Sequence, residues 1–461
     1  MLGVGFFFMN KNKSDEDYFV GGRNMSAGHI GLSVVATDVG GGFSIGLGGL
    51  GFVMGLSGSW MLFTGLLGAW ISAVILIPKI YPIAKEHKFL TFPQSLAFHY
   101  NSKVALVAGI ISLIGYVGFT SSQILAGAKL ASATFPSFTI TKAVLIMGVI
   151  AVVYTVIGGI KAVIYTDTIQ WLILMIGLIF IGLPIGYVKI GGWEAISATL
   201  PPVFTSLSNI TLIQLFNWLI TIVPIWFIGM TLYQRIYACK DEKTAIKAWR
   251  IAGLFEWPIM AFMGVALGLF ARVAFEQGMF TEIGYAPGTA IDAELGLPLF
   301  LRSILPIGLM GLMMSAYFSA IMSTADSCLM AASGNFVTDI LGYFKKKQTS
   351  SIRSSQMVTL LIGMIAILLA TRMQNVLELM LYSYAFMVSG LLVPVIGMLV
   401  LKKPSSLAAI VSMILGGTTT LVLIISESKL PFELDANFFG ISIAAISFII
   451  IQITTKKEEK L

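Results

Sequence analysis

The sequence predicts an all-α polytopic membrane protein, and three observations carry that prediction. The 461 residues are 57% hydrophobic and only 11% charged, far from the composition of a soluble domain of this length. Apolar windows of about 20 residues, each long enough to cross a bilayer as a helix, recur along the whole chain. The basic residues between those windows fall unevenly on alternate sides. A transmembrane barrel is excluded, because its strands would alternate polar and apolar residues over about ten positions.

In chain order, Met1 to Met9 is half a span, read as the remainder of a truncated N-terminal helix, and Lys11 to Asn24 is charged. Twelve full spans are expected at about 29–52, 58–84, 104–134, 141–160, 164–188, 211–234, 251–274, 303–342, 355–371, 376–401, 406–425 and 437–454. Pro201-Pro202 and the Gly278 to Gly296 stretch mark longer loops. One membrane domain, 1–461, fills the chain.

Counting basic residues on alternate sides tests this arrangement. Lys11, Lys13, Arg23, Lys79, Lys85, Lys88, Lys103, Lys161, Arg235, Lys240, Lys243, Lys247, Arg250, Lys345, Lys346, Lys347, Arg353, Lys402, Lys403, Lys456, Lys457 and Lys460 share one side, 22 of the 29. The other side holds Lys129, Lys142, Lys189, Arg272, Arg302, Arg372 and Lys429. The basic side is the cytoplasmic one by the positive-inside rule, which places the charged N-terminal segment and the C-terminus in the cytoplasm of a multi-pass cell-membrane protein. It also explains the net charge of +7 without nucleic acid. Two cysteines and three scattered histidines give neither a disulfide framework nor metal spacing. There is no HExxH and no Walker loop, so the sequence points to neither an enzyme nor an ATP-driven pump. An ion gradient is the remaining energy source.

The chemistry concentrates in the eighth span, where Ser315 to Cys328 reads S-A-Y-F-S-A-I-M-S-T-A-D-S-C. Ala320, Ser323, Thr324 and Ser327 fall on one helical face, with Asp326 beside it. Polar groups at membrane depth do not face lipid, and hydroxyls, carbonyls and carboxylates are hard donors suited to a hard cation. The partner is expected in the first span, A-T-D-V-G-G-G-F-S from Ala36. Its three successive glycines beside Asp38 predict a helix broken near the midplane, although glycines also permit close helix packing. Asp167 is a second cation-ligand candidate or a helix-end carboxylate. Glu256 is expected to be a structural partner for Arg235 or Arg250. Pocket candidates are Phe119, Ser122 and Gln123 in F-T-S-S-Q, Trp226 in the weakened sixth span, and Gly40, Gly41 and Phe43 beside the first break.

With these residues in view, the chain resembles the sodium/solute symporter family, which includes sodium-coupled proline, pantothenate, sialic acid and glucose transporters. The match covers essentially the whole chain. It rests on D-Y-F-V-G-G-R-N from Asp17, A-T-D-V-G-G-G from Ala36, G-G-I-K-A-V-I-Y-T-D-T-I-Q from Gly158, Y-Q-R-I-Y-A-C-K-D from Tyr233 and A-I-M-S-T-A-D-S from Ala320. The resemblance implies a leucine-transporter-like core of two inverted five-helix repeats, about 29–188 and 211–401, with extra helices at about 406–454. It implies a sodium site on Ala36, Val39, Ala320, Ser323 and Thr324, with Asp38 serving sodium-dependent function. A second cation site would fall on Asp167, Ser323, Asp326 and Ser327. Asp326 stands there in place of the usual hydroxyl, so it would strengthen the site or couple protons.

Two departures matter. The family normally begins with a complete extra helix, of which only Leu2 to Phe8 stands here. The pocket also matches no known specificity. Gly40 and Phe43 replace the hydroxyls of the sialic-acid type, and Trp226 replaces the tyrosine of the proline type. The expected function is therefore sodium-coupled uptake of a small polar organic solute (amino acid, carboxylate, vitamin or sugar-like) by alternating access. A proton-coupled transporter of the same fold, or a transporter-like solute sensor, is the alternative. The expected partners are a small-molecule substrate and the lipid bilayer, with no obligatory protein partner.

Overall fold

The computed structural model describes residues 19–38, 40–135, 137–345, 352–427 and 429–458. The expected N-terminal half-span, Leu2 to Phe8, lies outside the described residues. The described residues contain helices and no strand. In order they are α1 (Ala27–Asp38), α2 (Gly40–Met54), α3 (Trp60–Ile75), α4 (Ile77–Glu86), α5 (Phe92–His99), α6 (Ser102–Thr134), α7 (Ile140–Gly177), α8 (Leu183–Lys189), α9 (Gly192–Thr199), α10 (Leu212–Ile228), α11 (Met230–Ala238), α12 (Glu242–Leu254), α13 (Ala261–Glu276), α14 (Ala293–Ile304), α15 (Ile307–Gly334), α16 (Ile352–Ala370), α17 (Val376–Val400), α18 (Ser406–Ile425) and α19 (Ala436–Glu458).

Local signals explain where these helices start and stop. The Asn101 side chain accepts from the Lys103 and Val104 amides at 3.0 Å each and opens α6, satisfying donors that have no partner within the helix. Thr91 and Gln94 form a capping box at the start of α5. Two helices break in mid-course. The chain leaves α1 after Asp38 and resumes at Gly40, whose φ of 29° no β-carbon-bearing residue adopts easily. Likewise α10 and α11 meet at Gly229, which is extended, and bend by 41°. Both breaks fall where glycine weakens the expected first and sixth spans.

Ten helices among the described residues are long and apolar enough to cross a membrane, or eleven if α10 and α11 form one span. Twelve spans were expected. The difference lies at 29–52 and 58–84, where Ser44–Ile75 runs as one apolar stretch through α2 and α3, while α1 has only 12 residues. The segment 140–189 holds two spans, Ile140–Ile157 and Asp167–Lys189. Ile140 shares a cavity with Leu295 and Arg302, and Gly186 packs on Phe300. Both extremes of the segment therefore reach α14.

The side chains sort as a bilayer demands. Val149, Ile150 and Val153 of α7, Leu361, Ile365 and Leu368 of α16, and Ile446, Ile449 and Ile453 of α19 are exposed, a distribution suited to lipid and unsuited to water. Buried polar residues gather between α1, α7, α11 and α15 instead. At one end Arg23, Lys85 and Lys240 line a small cavity with Tyr81, and Arg23 Nη2 donates to the Phe89 carbonyl at 2.7 Å. At the far end of α6, Lys129 bridges Asp292 at 2.5 Å and Glu294 at 2.6 Å. Glu294 also accepts the Val376 and Leu377 amides at 3.0 and 2.9 Å.

Candidate functional site

The site forms where the broken first helix meets α15. Small residues on the eighth-span face let α15 sit close to α1, and Thr324 exploits that closeness. Its hydroxyl donates to the Ala36 carbonyl at 2.9 Å and lies 3.4 Å from the Ala320 carbonyl. A β-carbon at position 40 would run into Thr324 Oγ1, so glycine there is what permits the approach. Ala36, Ala320, Ser323 and Thr324 are all at most 3% exposed. Three of the five expected sodium positions, Ala36, Ala320 and Thr324, thus converge within hydrogen-bonding range. Val39 lies outside the described residues. The Ser323 hydroxyl donates to Asp167 Oδ1 and so belongs to the neighbouring cluster as well.

That cluster is built around Asp167, buried on α7. Ser33 donates to Asp167 Oδ2 at 2.6 Å. The guanidinium of Arg235, on α11, fills the rest of the space. Its Nη2 reaches Asp167 Oδ2 at 3.3 Å, the Ser327 hydroxyl at 2.9 Å and the Thr37 hydroxyl at 2.5 Å. Its Nε reaches Ser33 at 3.1 Å and its Nη1 the Thr231 carbonyl at 3.2 Å. Both charges are fully buried. Of the expected second cation set, Asp167, Ser323 and Ser327 therefore do come together, around a cation the protein itself supplies. Asp326 does not join them. Its Oδ1 accepts from Thr155 at 2.5 Å on the α7 side, and its Oδ2 has no donor.

The expected pairing of Glu256 with Arg235 or Arg250 does not form. Arg235 is held by Asp167, and Arg250 is exposed. Glu256, fully buried in the π-helical turn Phe255–Met260, instead lies over Gly65 of α3. The Tyr384 hydroxyl donates to Asp38 Oδ1 at 3.5 Å. Phe119 stands edge-on to Tyr384, ring centroids 5.0 Å apart, so this pocket candidate does lie at the site. Ser122 donates to the Phe119 carbonyl of its own helix at 2.7 Å and accepts from Gln123 Nε2 at 3.3 Å. Gln123 also reaches Met380. Trp226 is fully buried over Gly68 and edge-on to Trp249, one turn of α3 away from Gly65, which lies under Glu256. The side chain of Phe43, and the surroundings of Gly41, lie outside what is described.

Sequence reasoning missed the parts played by Tyr384, Thr155, Arg235, Ser33 and Thr37. The last two had a legible signal, because hydroxyls four residues apart on a membrane helix share a face. Among the described residues no group of three or more His, Cys, Asp or Glu could hold a metal ion. The converging donors here are mainly carbonyls and hydroxyls, which suit sodium rather than a transition metal.

Helices broken at mid-depth around buried oxygen donors and a charged centre define a secondary transporter. The comparisons with known proteins are specific about which kind. A family model described as the sodium:solute symporter family matches residues 18–416. The osmoregulated proline transporter OpuE of Bacillus subtilis is 25% identical over 481 aligned residues, covering 100% of this chain and 94% of that protein. The sodium/proline symporter of Escherichia coli is 25% identical, covering 92% and 85%. In fold, the chain is similar to a substrate-bound, outward-open Na+-coupled sialic acid symporter, with a TM-score of 0.78, 21% identity, and coverage of 98% of this chain and 94% of that one. The chain belongs to the sodium:solute symporter family. It is a multi-pass membrane transporter with an all-helical, leucine-transporter-like fold, sodium is its co-transported ion, and it is not an enzyme.

Proposed function

We propose that the protein imports a small polar organic solute across the cell membrane, coupling uptake to inward sodium flow by alternating access. Residues 29–188 and 211–401 are the two repeats that rock about the site. Sodium binds at Ala36, Val39, Ala320, Ser323 and Thr324, and Asp38 tunes that affinity from the adjacent break. The basic end, with the N-terminal charged segment and the C-terminus, faces the cytoplasm. Proline, named in the two relatives, is one solute of the right size and polarity.

The observation that carries this reading is the contact of the Thr324 hydroxyl with the Ala36 carbonyl beside Gly40. It joins the broken helix to α15 through the oxygens a sodium ion would use. One charge moved through 100 mV supplies about 2.3 kcal/mol. At about 1.4 kcal/mol per factor of ten, that sustains roughly a fifty-fold solute gradient. The test is uptake into proteoliposomes from a panel of amino acids, carboxylates and sugars under an imposed sodium gradient. Ser323→Ala combined with Thr324→Ala is expected to abolish sodium-dependent uptake while leaving the amount of folded protein unchanged. Wild-type uptake in that variant would take the sodium site away from these residues.

A further inference from the structure

The outer half of the broken sixth helix, α10, is fastened to a segment that lies past residue 416, where the match of the family model ends. That segment begins with the short 3-10 turn Pro431–Glu433 and continues into α19. One side chain makes the fastening. Asn217, on α10 and 7% exposed, donates from Nδ2 to the Glu433 carbonyl at 2.9 Å and accepts the Asp435 amide on Oδ1 at 3.2 Å. One turn further along α10, the Thr221 hydroxyl accepts from Asn437 Nδ2 at 2.7 Å. Thr221 in turn donates to the Asn217 carbonyl at 2.9 Å.

The fastened turn is strained, and packing does not support it. Phe432 and Glu433 are consecutive non-glycine residues in the left-handed region, with φ of 60° and 57°, a backbone that side chains disfavour. Phe432 is 81% exposed, so burial of its ring does not offset the strain. Strain of this kind persists only where the surroundings hold it, and it gathers at parts that switch. Beside the turn lie two adjoining cavities of about 820 and 330 Å³, which share Glu378, Tyr382 and Asp435 in their walls. The inner one separates Thr221 of α10 from Leu381 and Ala385 of α17. Ala385 adjoins Tyr384, whose hydroxyl donates to Asp38. The two cavities therefore lead from the end opposite the basic one to within a residue of the site, and Asn217 ties their mouth across.

We propose that the turn Pro431–Asp435 is a strap across the outer entrance of the transporter, that Asn217 is its fastening, and that solute enters between α10 and α17 when the strap lets go. The strain makes release easy, because letting go returns two residues to ordinary backbone. The side-chain amide makes the fastened state definite, because it donates and accepts at once. The rest of the segment is held independently of α10. The Thr420 hydroxyl of α18 donates to Ser389 of α17 at 2.6 Å, and a β-carbon at Gly440 of α19 would run into Thr420. Release therefore frees α10 from a block of α17, α18 and α19 and leaves that block intact. This inference rests on the symport reading and the orientation above, and its test separates it from the symport reading.

The experiment uses the full chain in right-side-out membrane vesicles at a fixed sodium concentration. Ala385→Cys places a reporter on the wall of the inner cavity, and its rate of labelling by a membrane-impermeant thiol reagent is measured. The parent chain without the reporter gives the background from Cys239 and Cys328, both buried. Adding Asn217→Ala should speed labelling about five- to a hundredfold, the scale of two lost hydrogen bonds. Adding Glu433→Gly should slow it about five- to thirtyfold, because glycine adopts the left-handed backbone without steric cost and the fastened strap is then unstrained. The opposite signs matter, since general loosening of the fold would speed labelling in both. If Asn217→Ala fails to fold, the Glu433→Gly arm decides alone. The inference is overturned if Glu433→Gly labels as fast as the unsubstituted strap or faster, if a folded Asn217→Ala labels no faster, or if the reporter reacts only in inside-out vesicles. Failure of the symport reading looks different: solute uptake that ignores the sodium gradient, with these labelling rates unaffected.

Discussion

Asp167 and Glu256 are both buried in the core, yet one is closed into an ion pair and the other has no base among the described residues. Around Asp167 the protein spends an arginine and the hydroxyls of Ser33, Thr37, Ser323 and Ser327. Among the described residues, Asp38 has the Tyr384 hydroxyl at 3.5 Å and Glu256 has no hydrogen-bond partner. The difference teaches that burial of a carboxylate does not by itself mark a site.

The largest expected effect tests the closed centre. Arg235→Gln or Asp167→Asn alone leaves one buried charge uncompensated and should destabilise by about 3–5 kcal/mol. The double variant should melt much closer to wild type, because both charges are gone. Single variants that melt with wild type in detergent would break the comparison. Next comes Gly40→Ala. Its β-carbon meets Thr324 Oγ1 and its φ is strained, so about 1–3 kcal/mol of stability and the sodium-dependent thermal shift should be lost together. A variant that keeps its sodium shift would separate the helix break from the ion site. Glu256→Gln should behave in the opposite sense to Arg235→Gln, melting at or above wild type when no sodium or solute is present, because it replaces a buried carboxyl without a base by a neutral amide. A large destabilisation would mean that Glu256 has a structural partner after all. The smallest effect on sodium binding is expected at Thr155→Ala. It removes one donor to Asp326, costs about 1–3 kcal/mol, and should leave sodium binding untouched, since Asp326 lies outside the Asp167 cluster.

Much of this was legible in the sequence, and the reasons differ from residue to residue. Composition and window length gave the helical membrane fold because the bilayer leaves few other solutions. The stripe Ala320, Ser323, Thr324 and Ser327 was legible because helical periodicity fixes which side chains share a face. Glycine runs flagged the break at Gly40 and weakness at Gly229. The count of spans was not settled by hydropathy, since α1 is short and carries Ser33, Thr37 and Asp38. Partners were the least legible part. Glu256 and Arg235 are 21 positions apart and of opposite charge, which invites a pairing that the fold does not make. Which carboxylate receives the guanidinium depends on where α7 packs, and no local pattern near Asp167 encodes that. Asp326 shows the same limit: one residue's rotation about α15 takes it from Ser327's neighbourhood to Thr155.

The junction of Lys129, Asp292 and Glu294 at the end opposite the basic one has a mechanical consequence. Glu294 holds the first amides of α17 while Lys129 holds Glu294, so α6, α14 and α17 are fastened at a single carboxylate. These bonds are charge-assisted and share one group, so they let go together rather than one by one. Movement at that end is therefore expected to resemble a latch, with two discrete positions, and the dwell time in each would be set by one acidic side chain.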